Sequence, residues 1–174
     1  MDETSVAAFH GSQVGNVMRS HQGEEEAIQG ATRGTRRTFS THAAFICNNA
    51  RIHKKLPQLL LVNERTITIP QYNRLLERRP WNVYIKRAKS AWMTEELTSI
   101  LIGVLKEHLQ DELAHFDILL FLDAARIHCS RKVILAYNYH GIRLILIPVR
   151  LTWLLQPCDT HLFVIYKGYV RRRW

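Results

Sequence analysis

Apolar and polar positions divide the chain into stretches of different period. Residues 37–47 (RTFSTHAAFIC) and 59–69 (LLLVNERTITI) are rich in β-branched and aromatic side chains and flank the polar stretch NNARIHKK, which predicts a pair of antiparallel strands. Residues 71–89 are polar and basic, include Trp81 and Tyr84, and carry no single period. From Thr94 the pattern turns helical. Leu97, Ile100, Leu101, Val104, Leu105 and Leu109 recur at helical spacing, with Thr94 at the N-cap and Glu95 and Glu96 in the first turn, where acids complement the helix dipole.

The run Phe116 to Leu122 (FDILLFL) is short, almost wholly apolar and stops at Asp123, which predicts a central strand buried on both faces. Residues 130–139 read as a helix capped by Ser130, with Val133, Ile134 and Tyr137 inward. Gly141 closes it, and Leu144 to Ile147 is a second buried strand ended by Pro148. Strand, helix and strand in this order make a βαβ unit, so the two strands should run parallel. Residues 159–174 predict a last helix with Leu162, Phe163, Tyr166 and Val170 on one face, and residues 10–34, rich in Gly, Gln and Ser, read as a loop-rich insert.

Length and composition narrow the class. At 174 residues the chain is one domain, 1–174, large enough to bury a core without disulfide or metal staples. No apolar run approaches the roughly 18 to 20 residues that span a bilayer, so no membrane partner is expected. The net charge is +9, and because residues 1–30 hold one basic residue against five acids, residues 31–174 carry +13. Such an excess suits a polyanionic partner. Cys47, Cys129 and Cys158 are odd in number and form no CxxC pair, which argues against a disulfide framework and a structural zinc site. With Asp2 and Glu3 where a signal peptide would be basic, a nuclear or cytoplasmic protein that is not secreted is expected.

In a parallel sheet the ligand lies beyond the carboxyl ends of the strands, where Asp123 falls. A carboxylate after a run of apolar residues is costly to desolvate unless a cation neutralises it. Asp159 follows the second strand, and two carboxylates on adjacent connections can hold one hard divalent cation. Each also has a structural reading, Asp123 as the cap of the following turn and Asp159 as the N-cap of the last helix.

FLDAARIH, from Phe121 to His128, and GIRLILIPVRLTWLLQPCDTHLFVIYK, from Gly141 to Lys167, resemble the DDE superfamily endonuclease domain of pogo, Tigger and mariner-like transposases. In that family the second catalytic Asp ends a strand and is followed by a His. The third lies in a Pro-x-x-x-Thr-x-x-Leu-Gln-Pro-x-Asp segment, matched here by Pro148, Thr152, Leu155, Gln156, Pro157 and Asp159, with Phe163 and Lys167 after it. Ser90, Ala91, Trp92 and Thr94 are similar to the Ser-x-Trp motif before the family's first core helix, and Asp2, Glu3 and Thr4 to the Asp-Glu-Thr segment that carries the first catalytic Asp.

The resemblance implies an α/β, RNase H-like mixed sheet flanked by helices, with its first strand truncated at the N-terminus because the strand carrying Asp2 would lie before residue 1. It implies Asp2, Asp123 and Asp159 as catalytic and metal-binding residues around two Mg²⁺ or Mn²⁺ ions, and His128, Thr152, Gln156 and Pro157 as supporting residues. The activity implied is metal-dependent DNA cleavage and strand transfer, with DNA as partner and self-association compatible with it. The rival is a catalytically inactive, nucleic-acid-binding remnant of a transposase. Ala124 departs from the family's Asn after the second Asp, removing a hydrogen-bonding group near the metal site. Arg126, Arg131, Lys132, Arg143, Arg150, Lys167, Arg171, Arg172 and Arg173 are expected to meet phosphates, and Trp92 and Trp153 to be core.

Overall fold

β-Branched and aromatic residues build a four-stranded sheet in the order β1 (Asp2–Ala7), β2 (Thr38–Ala44), β3 (Gln58–Asn63) and β4 (Val83–Ala88). The computed structural model describes residues 1–7 and 38–173, so the insert expected over 10–34 lies outside the described residues. Strands β1, β2 and β3 are antiparallel, and β4 runs parallel to β3. The expected antiparallel pair is thus β2 and β3. The polar stretch between them forms a short helix, α1 (Ala50–His53), capped by Asn49, whose Oδ1 accepts from the Arg51 and Ile52 amides.

Residues 71–89 resolve into two elements that their polarity hides. Helix α2 (Ile69–Glu77) opens with Thr68 and Gln71, whose Oε1 accepts from the Thr68 amide at 2.9 Å, and it buries no residue. Strand β4 follows, at the edge of the sheet and only half-buried. Helix α3 (Glu95–His108) starts where expected, with the Thr94 hydroxyl accepting from the Leu97 amide, and buries Leu97, Thr98, Leu101, Ile102 and Leu105. A short turn of helix, α4 (Gln110–Leu113), leads into the βαβ unit: β5 (Ile118–Asp123), α5 (Arg131–Tyr139) and β6 (Ile142–Ile147), with β5 and β6 parallel as predicted. Ser130 caps α5, and Gly141 reverses the chain at φ 72°, the left-handed region that glycine enters without strain.

One core joins both sheets. Ala43, Leu61, Leu101, Leu105, Leu122 and Tyr137 are among its fully buried members, and α3 and α5 pack over it. The opposite face of the first sheet holds a smaller cluster of Ala44, Cys158 and Phe163 under α7 (Phe163–Arg173). Consecutive Ala43 and Ala44 are both 0% exposed yet belong to different clusters, which strand alternation requires of a sheet covered on both sides. The Met1 nitrogen donates to the Phe121 carbonyl at 3.0 Å, setting β1 beside β5. The result is the mixed, helix-flanked α/β architecture of an RNase H-like fold, and among the described residues no helix is long and apolar enough to cross a membrane.

Four expectations change. Strand β6 is not the buried strand expected, since Ile145 and Leu146 are exposed and only its end residues Ile142 and Ile147 are buried. Strand β5 is buried on one face only: Leu120 and Leu122 point into the core, while Leu119 and Phe121 stay about half exposed because α3 and α5 cover only the inner side. Trp92 is 61% exposed, outside the core, since the turn before α3 buries the small Ala91 instead. Asp2 lies in a strand that runs over residues 2–7, where the resemblance implies one lying before residue 1. The side chain of Trp153 lies outside the described residues.

One-sided burial of β5 gives a direct contrast. Leu122→Ala should lower unfolding free energy by about 2–5 kcal/mol, and Leu119→Ala, three residues away, by well under half of that. Urea denaturation midpoints of the two variants test it, and equal losses would mean the outer face is packed as well.

Candidate functional site

The end of β5 and the start of β1 meet at a buried histidine. His128, in the turn before α5, has no exposed surface. Its Nδ1 lies 2.5 Å from Asp123 Oδ1 and its Nε2 lies 3.1 Å from Glu3 Oε1, a partner 125 residues away in the chain. Both ring nitrogens face carboxylates, so the ring must donate twice, which only the imidazolium can do. Burial pushes the ring toward neutrality, but the hydrogen bonds and charges of Asp123 and Glu3 outweigh it and raise the pKa to about 10. The same bond holds the Asp123 carboxyl below the usual carboxylate range.

The other two aspartates meet across the sheet. Asp2 is only 6% exposed, its Oδ1 accepts from the Glu3 amide at 2.7 Å, and no donor reaches its buried Oδ2. Asp159 lies near it on the turn Cys158–Leu162, exposed, with its negative charge acting on Asp2. Burial, with the charge of Asp159 added to it, raises Asp2 to about 7. Gln156 fixes this contact from below: it is 2% exposed, its Nε2 donates to the Met1 carbonyl at 3.3 Å, and its carbonyl accepts from the Asp159 and Thr160 amides. Thr152 opens the preceding turn of helix, α6 (Thr152–Leu155), where its carbonyl accepts from the Gln156 amide, and Pro157 begins the turn that carries Asp159.

Asp2 and Asp159 are therefore brought together, whereas Asp123 is held by His128 and Glu3. The Asp2–Asp159 pair fits a hard divalent cation: it offers carboxylate oxygens alone, one buried and without a donor, in a place where the two negative charges otherwise exclude each other. Among the described residues no group of three or more His, Cys, Asp or Glu side chains is arranged to hold a metal ion. Ala124 contributes only its backbone, its amide donating to the Ile147 carbonyl at 3.1 Å. Glu3 is the residue that pattern reading missed. Its place directly after Asp2 in the Asp-Glu-Thr match was the available signal.

The expected phosphate contacts separate by position. Arg126, Arg131, Lys132 and Arg150 are exposed and follow the carboxyl ends of β5 and β6, on the side of Asp123. Arg172 is exposed on α7, Lys167 is half-buried, and the side chains of Arg171 and Arg173 lie outside the described residues. Arg143 is at the opposite end of the strands, 3.2 Å from Asp117.

The raised Asp2 pKa makes stability depend on pH. Between the ordinary value of 3.8 and about 7 the carboxyl is neutral in the folded chain and ionised in the unfolded one, so folding takes up a proton. This contribution is complete below the lower value and is lost as pH rises through the upper. Asp2→Asn should therefore unfold at a higher temperature than the unaltered chain near pH 8 and at about the same temperature near pH 4. Calorimetric melting across this range checks it, and parallel curves for the two proteins would contradict the Asp2–Asp159 repulsion.

Residues 40–174 match the family model of the DDE superfamily endonuclease, a span that includes Asp123, His128, Thr152, Gln156, Pro157 and Asp159 and begins after Asp2 and Glu3. No curated protein and no solved structure matches the chain. The family match covers well over half of the sequence and both of the downstream aspartates, and on that ground the chain belongs to the DDE superfamily endonucleases.

Proposed function

We propose that the chain is a transposase-derived DDE endonuclease domain that binds DNA, cleaves phosphodiester bonds and transfers strands, using a divalent cation, Mg²⁺ or Mn²⁺, held by Asp2 and Asp159, with Asp123 as the further catalytic aspartate. The observation that carries this reading is the proximity of Asp2, a buried carboxylate, to Asp159, an exposed carboxylate 157 positions away whose charge acts on it. A fold tolerates that repulsion where a ligand of opposite charge relieves it. A divalent cation in such a site supplies Lewis-acid activation of water and stabilisation of the leaving oxygen.

The chain's own residues provide the rest. His128 and Glu3 fix the orientation of Asp123, Gln156 ties the Asp159 turn to the strand that bears Asp2, and Arg126, Arg131, Lys132 and Arg150 offer phosphate contacts that carry no base preference. A DNA substrate puts this work in the nucleus. The second reading, an inactive DNA-binding remnant, is favoured by one specific observation: Asp123 Oδ1 is committed to His128, and no three-ligand group is present among the described residues.

Two measurements separate these readings. Mn²⁺-dependent nicking of supercoiled DNA is expected, with a loss of at least about 100-fold in Asp123→Ala. Mn²⁺ titration calorimetry should show weaker binding in Asp159→Asn whatever the turnover. DNA binding without nicking, at unchanged affinity in both variants, would establish the remnant. In either case affinity for duplex DNA should fall steeply with salt, with a log–log slope of about −0.9 per phosphate contacted, and a flat salt profile would refute the electrostatic account.

A further inference from the structure

The basic stretch between α2 and β4 takes no part in the site above, yet it builds a defined surface. Trp81 lies at the apex of a turn closed by the Val83 amide donating to the Pro80 carbonyl at 3.0 Å. On one side its indole lies flat on the His108 ring, with centroids 5.3 Å apart and planes 8° from parallel. His108 is itself immobilised: Nδ1 is 2.7 Å from the Lys55 carbonyl and Nε2 is 2.9 Å from the Tyr84 hydroxyl. The next residue, Asn82, anchors the turn from below, its Nδ2 donating to the Leu56 carbonyl at 3.0 Å. The indole is thus pre-oriented, and with 68% of Trp81 exposed its outer face is open.

The charge around this ring is positive. Arg78 and Arg79 precede the turn, are exposed and pair with no carboxylate among the described residues. Lys54 is exposed beside the Lys55 carbonyl that holds His108, and Arg74 is exposed on α2. The acids closest in sequence, Glu77 and Glu107, leave this set net positive.

A flat, open π face beside cations has a narrow choice of partner. An acidic peptide would satisfy the arginines, but its carboxylates are repelled by the negative face of the ring. Bases inside a duplex are already covered above and below. An unpaired strand offers both groups at the needed spacing, a base to stack and phosphates on either side. We infer that Trp81 is a stacking platform for a nucleobase of an unpaired nucleic-acid strand, with Arg78 and Arg79 contacting its phosphates. The inference rests on the reading that the chain binds DNA, and it adds a contact on the α3 side of the first sheet, away from the α7 side where Asp2 meets Asp159.

The test is fluorescence anisotropy of labelled oligo-dT and of an abasic strand of equal length and charge, with duplex DNA as reference and polyglutamate as competitor. The unaltered chain should prefer oligo-dT to the abasic strand. Trp81→Ala should lose about ten-fold in oligo-dT affinity, bind the two strands alike and keep the salt slope, while Trp81→Phe retains most of the preference. Replacing Arg78 and Arg79 together by Ala should weaken both strands and reduce the salt slope by about 0.7 for each phosphate no longer neutralised. Equal affinity of the unaltered chain and Trp81→Ala for oligo-dT, or displacement by polyglutamate as effective as by oligo-dT, would overturn the inference. Duplex binding without oligo-dT binding would overturn it alone, and binding of neither would take the DNA-binding reading down with it.

Discussion

A buried imidazole with a carboxylate at each nitrogen is the constraint from which the rest of the site follows. The His128 ring is closed to water, so it tolerates a charge only while both Asp123 and Glu3 accept from it. Removing either partner would leave one buried ring N–H without an acceptor, at a cost of about 1–3 kcal/mol. The bond therefore joins β1 to the end of β5 more tightly than the single backbone contact from Met1 to Phe121 could. Strand alternation does the remainder. Glu3 pairs with Ala43 on the α3 and α5 side, so Asp2, one residue earlier and opposite Ala44, must face the α7 side and meet Asp159 there.

The two halves of the site are consequently under opposite electrostatic regimes. Around His128 two negative groups share one positive one, and both kinds of group keep their charge: the Asp123 carboxyl is held ionised and the ring protonated. At Asp2, burial together with the like charge of Asp159 pushes the carboxyl to about 7. The first arrangement is complete as it stands and has the character of a structural clamp. The second is relieved by a proton or a cation, which is why the proposed function puts the metal there.

Elements with a strong period were legible in the sequence, and contacts between distant residues were not. The strands β2 and β3, the helix α3 with its Thr94 cap, and the βαβ unit ending at Asp123 all follow from side-chain pattern, because each has one face to bury. Helix α2 and strand β4 escaped because α2 buries nothing and β4 is an edge strand, so neither has an apolar stripe to read. The two-sided burial expected of β5 failed for a related reason: an apolar run records hydrophobicity, whereas coverage depends on what packs opposite. Of the candidate site, Asp123, Asp159, His128 and Gln156 were legible through a motif. The role of Glu3 was not, since a hydrogen bond spanning 125 residues leaves no mark on local spacing.

The distribution of cations shows why charge excess alone is a poor guide to where a polyanion lies. Arg143 belongs to the +13 excess, but it sits at the end of the strands away from Asp123 and faces Asp117, both highly exposed. An exposed pair of that kind contributes between nothing and about 1 kcal/mol and leaves little net field for a phosphate. Arg126, Arg131 and Lys132 stand on the side of Asp123, where in the proposed function an anionic backbone would otherwise be repelled by Asp123 and Asp159. A carboxylate site can approach phosphate only if cations on its rim and within it overcompensate its own charge. In the proposed function the rim is supplied by these side chains, and the interior cation is held between Asp2 and Asp159.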